Sequence, residues 1–558
     1  STLTVRTDSE TLNDGEQRSV PVLSRGLPKV YDFSGRTKNH GASIDIQLPA
    51  GHVLELTSLE IEFTPHPALA GLTSLDYLSH FPYGCVEQTM NSFVPLASYY
   101  AALKKFGIIP GDMDKIKTKI EKGLARLERY QRSDGAFGWW KDSEADLYLT
   151  SLVLLGLSRI KGIDNKKIKL LISRSAQYLK REIAETKLFD ILAFSLYALS
   201  EAGYEHRVLA RSLKSNLQNE DALFLSLAVL ALANHNMMTD AVKAMDRLMG
   251  MIEKTEAGSF FPGPETYRNR DAVETAAYAL MALLRIDPDN PEIDQIMKWL
   301  VLQKTGRYWV STKTTGIVVA ALSDYLMTHK DKIPIDDQTI ALSLNKQGVT
   351  DFQIKKADFL INRVKPLYLP FSFLVQGANQ LKIDCTHDIY YALRIKSFWE
   401  SDSIAPASNN CEMIVSKKIF AVTRVHDSRR NPRILTRPLE EGERLQVGEE
   451  IKVQVNFTPD RDYDYFILED GLPSGFEAVE FEKEAGMSWW YSYAHKEKRD
   501  DKVVFFFDHL NKGRGITVSY ILRSELKGQF NLPPARLFGM YRPSINAHSC
   551  GIRLLVGP

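Results

Sequence analysis

Near residue 67 the chain changes texture, near residue 330 it changes back, and those two transitions limit the folds open to it. Before the first, "ASIDIQL" and "HVLELTSLEIEF" alternate apolar and polar positions between Gly, Pro and Asn breaks, the period of strands. Between the transitions stand Ala/Leu-rich stretches of helical length, among them "VPLASYYAALKKF", "IKTKIEKGLARLERY", "LYLTSLVLLGL", "LFLSLAVLALAN", "TAAYALMALLR" and "TGIVVAALSDYL". After Pro334 the strand pattern returns in "TIALSLNKQGV", "YYALRIKSFW", "EEIKVQVNFT" and "KVVFFFDHL". We expect a multidomain α+β protein: a helical domain over 67–332 inserted between β segments 1–66 and 333–400, then a β-sandwich over 401–558 that begins in the polar run "SDSIAPASNN".

Amphipathic helices alternate with helices that are apolar almost all round. A helix with no polar face must be covered on every side. An α/α-toroid does this with an inner ring wrapped by an outer ring of amphipathic helices; an irregular bundle or solenoid remains the alternative.

At 558 residues the chain exceeds what one core usually organises. No apolar run approaches the ~18 residues of a membrane span. Lys and Arg number 70 against 69 Asp and Glu, so no general field attracts nucleic acid or an anionic membrane. The chain opens "STLTVRTDSE", without an initiator Met or a signal segment, as expected of a processed piece of something longer. Four cysteines are too few for a disulfide scaffold and form no CxxC or Cys/His cluster, and the 12 histidines form no HExxH, so no metal or other cofactor is expected. Cys411 and Cys550 are a candidate bridge between the two ends of the last domain.

The chemistry concentrates in "FPYGCVEQTMN", residues 81–91. Cys85 and Gln88 are three residues apart, a spacing that one tight turn brings face to face. Attack of the sulfur on the carboxamide carbon with loss of ammonia would leave an internal thioester, an acyl group that amines, hydroxyls or water can take while Cys85 departs as thiolate. Gly84 is expected to permit the turn, and a helix starting near Thr89 to offer backbone N–H groups to the carbonyl oxygen. Glu87 serves either as a base during ring formation or only as a favourable charge at the helix N-terminus.

"PYGCVEQT" resembles the thioester signature of the α2-macroglobulin and complement family almost letter for letter. "RYWVSTKTTGIVVAALSDYL" is similar to its toroid helices, and "LPSGFE" and "LPPARLFGMYRPSINAHS" to its C-terminal macroglobulin domain, in wording most like bacterial members. The resemblance implies that 1–66 and 333–400 are halves of a CUB-like β domain, the first carrying the end of a macroglobulin-like region, and that 401–558 is a macroglobulin-type sandwich. It implies a protease inhibitor with a single-turnover thioester, not an enzyme, periplasmic or at the cell surface. Its partners are then attacking proteases, through their lysine amines, and upstream macroglobulin domains with a bait region.

Complement members that acylate hydroxyl groups carry a histidine between the fourth and fifth toroid helices. Here "SAQYLKREIAE" runs straight into "TKLFDILAFSLYALSEAG", and His206, beyond the next helix, is expected at the surface, so amines are the expected acceptors. A thioester must be kept dry. Tyr83, with Trp139 and Trp140 of "GAFGWW", can shield it, although tryptophans in such a loop also serve ordinary packing. By resemblance to bacterial members, Met540 and Tyr541 of "LFGMYRP" form a lock over it. Two other readings share parts of the pattern: a thioester adhesin that fixes cells through amines, and an α/α-toroid terpenoid cyclase, which lacks here the DxDD or DDxxD cluster its chemistry requires.

Overall fold

A computed structural model describes residues 2–8, 13–19, 27–48, 51–79, 84–105, 113–160, 166–218, 221–263, 271–329, 335–356, 358, 366–399, 404–425, 433–440, 442–480, 495–543 and 545–557. Among these the middle of the chain forms helices α1 (Gly71–Ser79), α2 (Val86–Lys105), α3 (Met113–Tyr130), α4 (Leu147–Arg159), α5 (Lys166–Glu182), α6 (Phe189–Glu201), α7 (Arg207–Ser212), α8 (Ala222–Asn234), α9 (Met238–Met249), α10 (Ala272–Ile286), α11 (Glu292–Leu302) and α12 (Thr312–Thr328). The even-numbered helices pack in succession, and α12 closes on α2. Helices α3, α5, α7, α9 and α11 lie outside that ring, each against the inner helix before it. The arrangement is the α/α-toroid rather than an open bundle.

The two helix types follow from composition. Every residue of α8 from Ala222 to Ala233 is buried, so its run of Leu and Ala has neighbours on all sides. Outer helix α9 buries only Ala241, Ala244, Met245 and Leu248, one stripe at helical spacing. Because each outer helix returns the chain, the inner helices run parallel and their N-termini share one end of the toroid. Asp146, Asp221, Asp271 and Ser311 cap α4, α8, α10 and α12 there, each accepting backbone N–H groups of its first turn.

Strands from both sides of the helical insert interleave in two sheets. Leu393 of Tyr390–Trp399 stands opposite Phe33 of Leu27–Arg36 on one side and Ile61 of Ser58–Thr64 on the other. Gly377–Cys385 likewise pairs with Gly41–Leu48 and with Gln338–Leu344. Buried charges fasten the toroid to this β domain: Lys304 Nζ lies 3.4 Å from Glu62 and donates to Thr73 Oγ1 at 2.5 Å, and Arg307 Nε donates to Glu60 at 2.6 Å.

The last part of the chain forms sheets of six, five and three strands. Strand Lys502–Leu510 explains how this part meets the toroid. Its alternate residues Val503, Phe505 and Phe507 fill the sandwich core, while Val504 and Phe506 face the other way and join Cys85, Ile467, Met540 and Tyr541 in a separate apolar cluster. An unbroken apolar run is what a strand covered on both faces requires.

The candidate bridge between Cys411 and Cys550 is absent: all four cysteines are free thiols. Strand Ala407–Asn409 runs antiparallel to Asn546–His548 with Asn409 opposite Asn546, so the chain carries Cys411 and Cys550 away from each other at opposite ends of that ladder. The Cys411 thiol instead meets the Asn546 carbonyl at 3.5 Å.

Candidate functional site

Helix α2 begins at Val86, three residues earlier than its sequence pattern suggests, which places Glu87 and Gln88 in its first turn and makes Cys85 the N-cap. The Gln88 N–H donates to Cys85 Sγ at 3.4 Å, and the Cys85 N–H donates to Gln88 Oε1 at 3.4 Å. This is the reciprocal geometry of a capping box with sulfur in the place of a serine hydroxyl. It turns the thiol and the carboxamide toward each other. Both residues are buried, and Gln88 Nε2 finds no hydrogen-bond partner among the described residues. A buried NH₂ group without an acceptor is costly, and loss of that nitrogen as ammonia would remove the cost.

A Cβ built at Gly84 would lie 1.7 Å from Arg126 Nη2, so the missing side chain makes room for that guanidinium. The Tyr130 hydroxyl donates to the Gly84 carbonyl at 3.1 Å, and the Val86 N–H donates to the Trp139 carbonyl at 3.0 Å. The loop between α3 and α4 therefore holds the start of α2 in place.

Glu87 is wholly buried and saturated with donors. Asn91 Nδ2, one turn on, donates to Oε1; the Thr312 hydroxyl stands 3.3 Å from both carboxyl oxygens; and the Tyr541 hydroxyl donates to Oε2 at 3.2 Å. Burial pushes the Glu87 carboxyl up to about 7, opposed first by the charge of Lys313. Lys313 itself pairs with Glu274 of α10 at 2.6 Å, both groups buried. Burial, and then the nearby Glu87, raise the Cys85 thiol well above its usual range, so it rests as the neutral thiol.

Above this turn lies an aromatic cover. Tyr541 is 1% exposed, and Met540, whose N–H donates to the Tyr465 carbonyl at 2.7 Å, is 8% exposed. Trp139 packs on Tyr465 with ring centroids 4.5 Å apart, and Tyr465 meets Tyr541 edge-on at 5.4 Å. Trp140 stacks on His495 at 4.0 Å and packs on Phe506 at 4.9 Å. Both tryptophans thus face the C-terminal sandwich. Tyr465 holds φ of 56°, a strained conformation for a bulky residue. Tyr83 lies outside the described residues. His206 is half-buried and gives its backbone N–H to the His235 ring at 3.1 Å.

Sequence reasoning missed Asn91, Thr312, Lys313, Tyr465, Val504 and Phe506. Two signals pointed to Asn91, Val504 and Phe506, and none to Thr312, Lys313 or Tyr465. Asn91 is one helical turn after Glu87, and the unbroken apolar run in "KVVFFFDHL" marks a strand with two buried faces.

A toroid inserted in a β domain, with a Cys-x-x-Gln pair at its helix-N-terminal end and a β-sandwich set against that pair, defines the class of thioester-domain macroglobulin proteins. A model of the A-macroglobulin TED domain matches residues 66–168 and 145–325, and one of the bacterial α2-macroglobulin MG10 domain matches 413–544. The chain belongs to the α2-macroglobulin family, and its likeness is to the C-terminal part of the bacterial members. It is 27% identical over 253 residues to α2-macroglobulin of Thermotoga maritima, covering 45% of this chain and 14% of that protein. It is 26% identical over 342 residues to thioester-containing protein 1 allele S3 of Anopheles gambiae, covering 54% of this chain and 25% of that protein. The matched regions thus span a quarter or less of these relatives' length. The fold is that of native Escherichia coli α2-macroglobulin from domain MG7 to the C-terminus, with TM-score 0.72 and 18% identity over 98% of this chain and 84% of that one.

Proposed function

We propose that this chain is the reactive portion of a macroglobulin-type protease inhibitor that fixes an attacking protease covalently through a Cys85–Gln88 thioester. The observation that carries the reading is the reciprocal, buried pairing of Cys85 and Gln88 beneath Tyr541. Thioester formation joins Sγ to the Gln88 acyl carbon and releases ammonia. A lysine amine of the protease then takes the acyl group as an amide, and Cys85 returns as a thiol. The group reacts once and is not regenerated, so the protein is an inhibitor rather than an enzyme. Upstream macroglobulin domains with a bait region would supply the trigger, and the site of action would be the periplasm or the cell surface. No described helix is long and apolar enough to cross a membrane.

Intact mass tests the reading. The native chain should be lighter than its sequence by one ammonia, and methylamine should add at Gln88 while freeing one thiol at Cys85. Cys85→Ala should abolish the addition and leave the fold, because one small side chain contributes little to a core of this size. A native mass equal to the sequence, with Cys85 already alkylatable, would sink it.

A further inference from the structure

Tyr541 does more than lie over the reactive turn, because its hydroxyl occupies one particular acceptor. Of the two Glu87 oxygens, Oε1 is held from within the toroid by Asn91 and Thr312, whereas Oε2 takes the hydroxyl that the C-terminal sandwich brings in. Thr312 has one proton to share between both oxygens. Departure of Tyr541 therefore leaves Oε2 short of a donor and opens it toward the space the phenol had filled. Cys85 and Tyr541 belong to one apolar cluster, so that space also borders the sulfur.

We propose that Glu87 is the proton acceptor for the amine that attacks the thioester, and that Tyr541 holds it idle by occupying Oε2, so that one movement both admits the amine and frees the base. The inference rests on the thioester reading above. The amine nitrogen bonds to the Gln88 acyl carbon and gives a proton to Glu87 Oε2. The acyl–sulfur bond breaks, sulfur keeps the electron pair, and it takes the proton back from Glu87. The products are the amide, the Cys85 thiol and the original carboxylate.

The groups around Glu87 leave it this role. Cys85 is on its own helix, Tyr77 stands on α1, and Lys313 on α12 pairs with Glu274, with Asp271 beside them on the α10 side. Tyr541 enters from the sandwich with Tyr465 against it and Tyr148 of α4 nearby. Burial and the Glu87 charge hold the Tyr541 phenol well above its usual range, so it stays a donor. Lys313 is the cation that most opposes the rise of the Glu87 carboxyl, and it is already engaged.

The test uses the whole chain carrying Tyr541→Ala, with thioester content read first by intact mass. The probe is methoxyamine, a weakly basic amine whose nitrogen stays unprotonated over the range, so that pH dependence reports the protein. Thiol release from Cys85 should rise through a single ionisation between about pH 5 and pH 8. Adding Glu87→Gln should flatten that rise and lower the plateau by about 10²- to 10⁴-fold. A flat profile in the Tyr541→Ala chain overturns the inference, as does an ionisation that survives Glu87→Gln. If Glu87→Gln prevents thioester formation, the profile of the Tyr541→Ala chain decides alone. A parent chain without the ammonia deficit removes the thioester reading itself, a result distinct from either.

Discussion

The Tyr541 hydroxyl donates to Glu87 Oε2 at 3.2 Å, across 454 positions of sequence. One hydrogen bond thus joins the residue between Cys85 and Gln88, on the first turn of a toroid helix, to a loop of the C-terminal sandwich. Around it Met540, Ile467, Val504 and Phe506 complete a dry contact. The domain that covers the turn is also the domain that completes the coordination of its carboxyl group.

Removing the cover should expose the proposed thioester. Met540→Ala with Tyr541→Ala is expected to accelerate both methylamine incorporation and spontaneous hydrolysis, while the toroid stays folded because its core lies elsewhere. Thiol release at fixed methylamine is the measurement, against the parent and a surface substitution in the same sandwich. Equal rates in all three would assign the shielding to Trp139 and Trp140 or to other parts of the protein.

Acyl transfer should favour amines over alcohols. Only three residues, Thr186 to Leu188, separate the 3₁₀ turn after α5 from α6, which leaves no loop to carry a histidine toward Cys85. Competition between a primary amine and glycerol on the opened protein measures this. Predominant glycerol ester would contradict it and would direct attention to His206.

Glu87 should make stability depend on pH. Its carboxyl is held up to about 7 in the fold, against about 4.3 in an unfolded chain, so between those values the folded state keeps a proton that the unfolded state has released. The sign is that stability falls as pH rises through this window, by roughly 3 kcal/mol in all, and changes no further above it. Urea unfolding of the parent and of Glu87→Gln at pH 4 and pH 8 should show a difference between the two proteins that grows by about that amount. A difference independent of pH would mean that the carboxyl titrates normally.

Lys417 should be indispensable to the C-terminal sandwich. Its Nζ lies 2.5 Å from Asp470 Oδ1 and 2.5 Å from the Pro533 carbonyl, with both charged side chains fully buried, and the Tyr520 hydroxyl donates to Asp470 Oδ2 at 2.9 Å. Lys417→Met strands a buried carboxylate and should cost about 3–5 kcal/mol by urea unfolding, much of it recovered when Asp470→Leu is added. A loss below about 1 kcal/mol would show that the site takes up water or a proton without difficulty.

Local chemistry and periodicity were sufficient for part of this protein. The alternation of all-apolar and amphipathic helices predicts the two rings, because a helix like α8 with no polar face has few other stable surroundings. The spacing from Cys85 to Gln88 places the two side chains together because a turn is a short-range structure, indifferent to what lies hundreds of residues away. The start of α2 was misjudged because Cys85 is not among the usual caps, and the room that Gly84 leaves for the Arg126 guanidinium was not legible because that group comes from another helix. The Cys411–Cys550 bridge stayed open in the sequence because cysteine spacing carries no register, and the ladder of Asn409 with Asn546 sends the two thiols apart. By itself, then, the sequence determined the elements, their order and the pairing of Cys85 with Gln88, all governed by contacts within a few residues. Only the tertiary structure decided what surrounds the pair: that Thr312 and Tyr541 reach Glu87, that Tyr465 bridges Trp139 and Tyr541, and that the second face of a sandwich strand closes over Cys85. These contacts depend on how two separately folded domains are set against each other, and that relative placement arises from the matching of whole surfaces, which no local pattern of residues encodes.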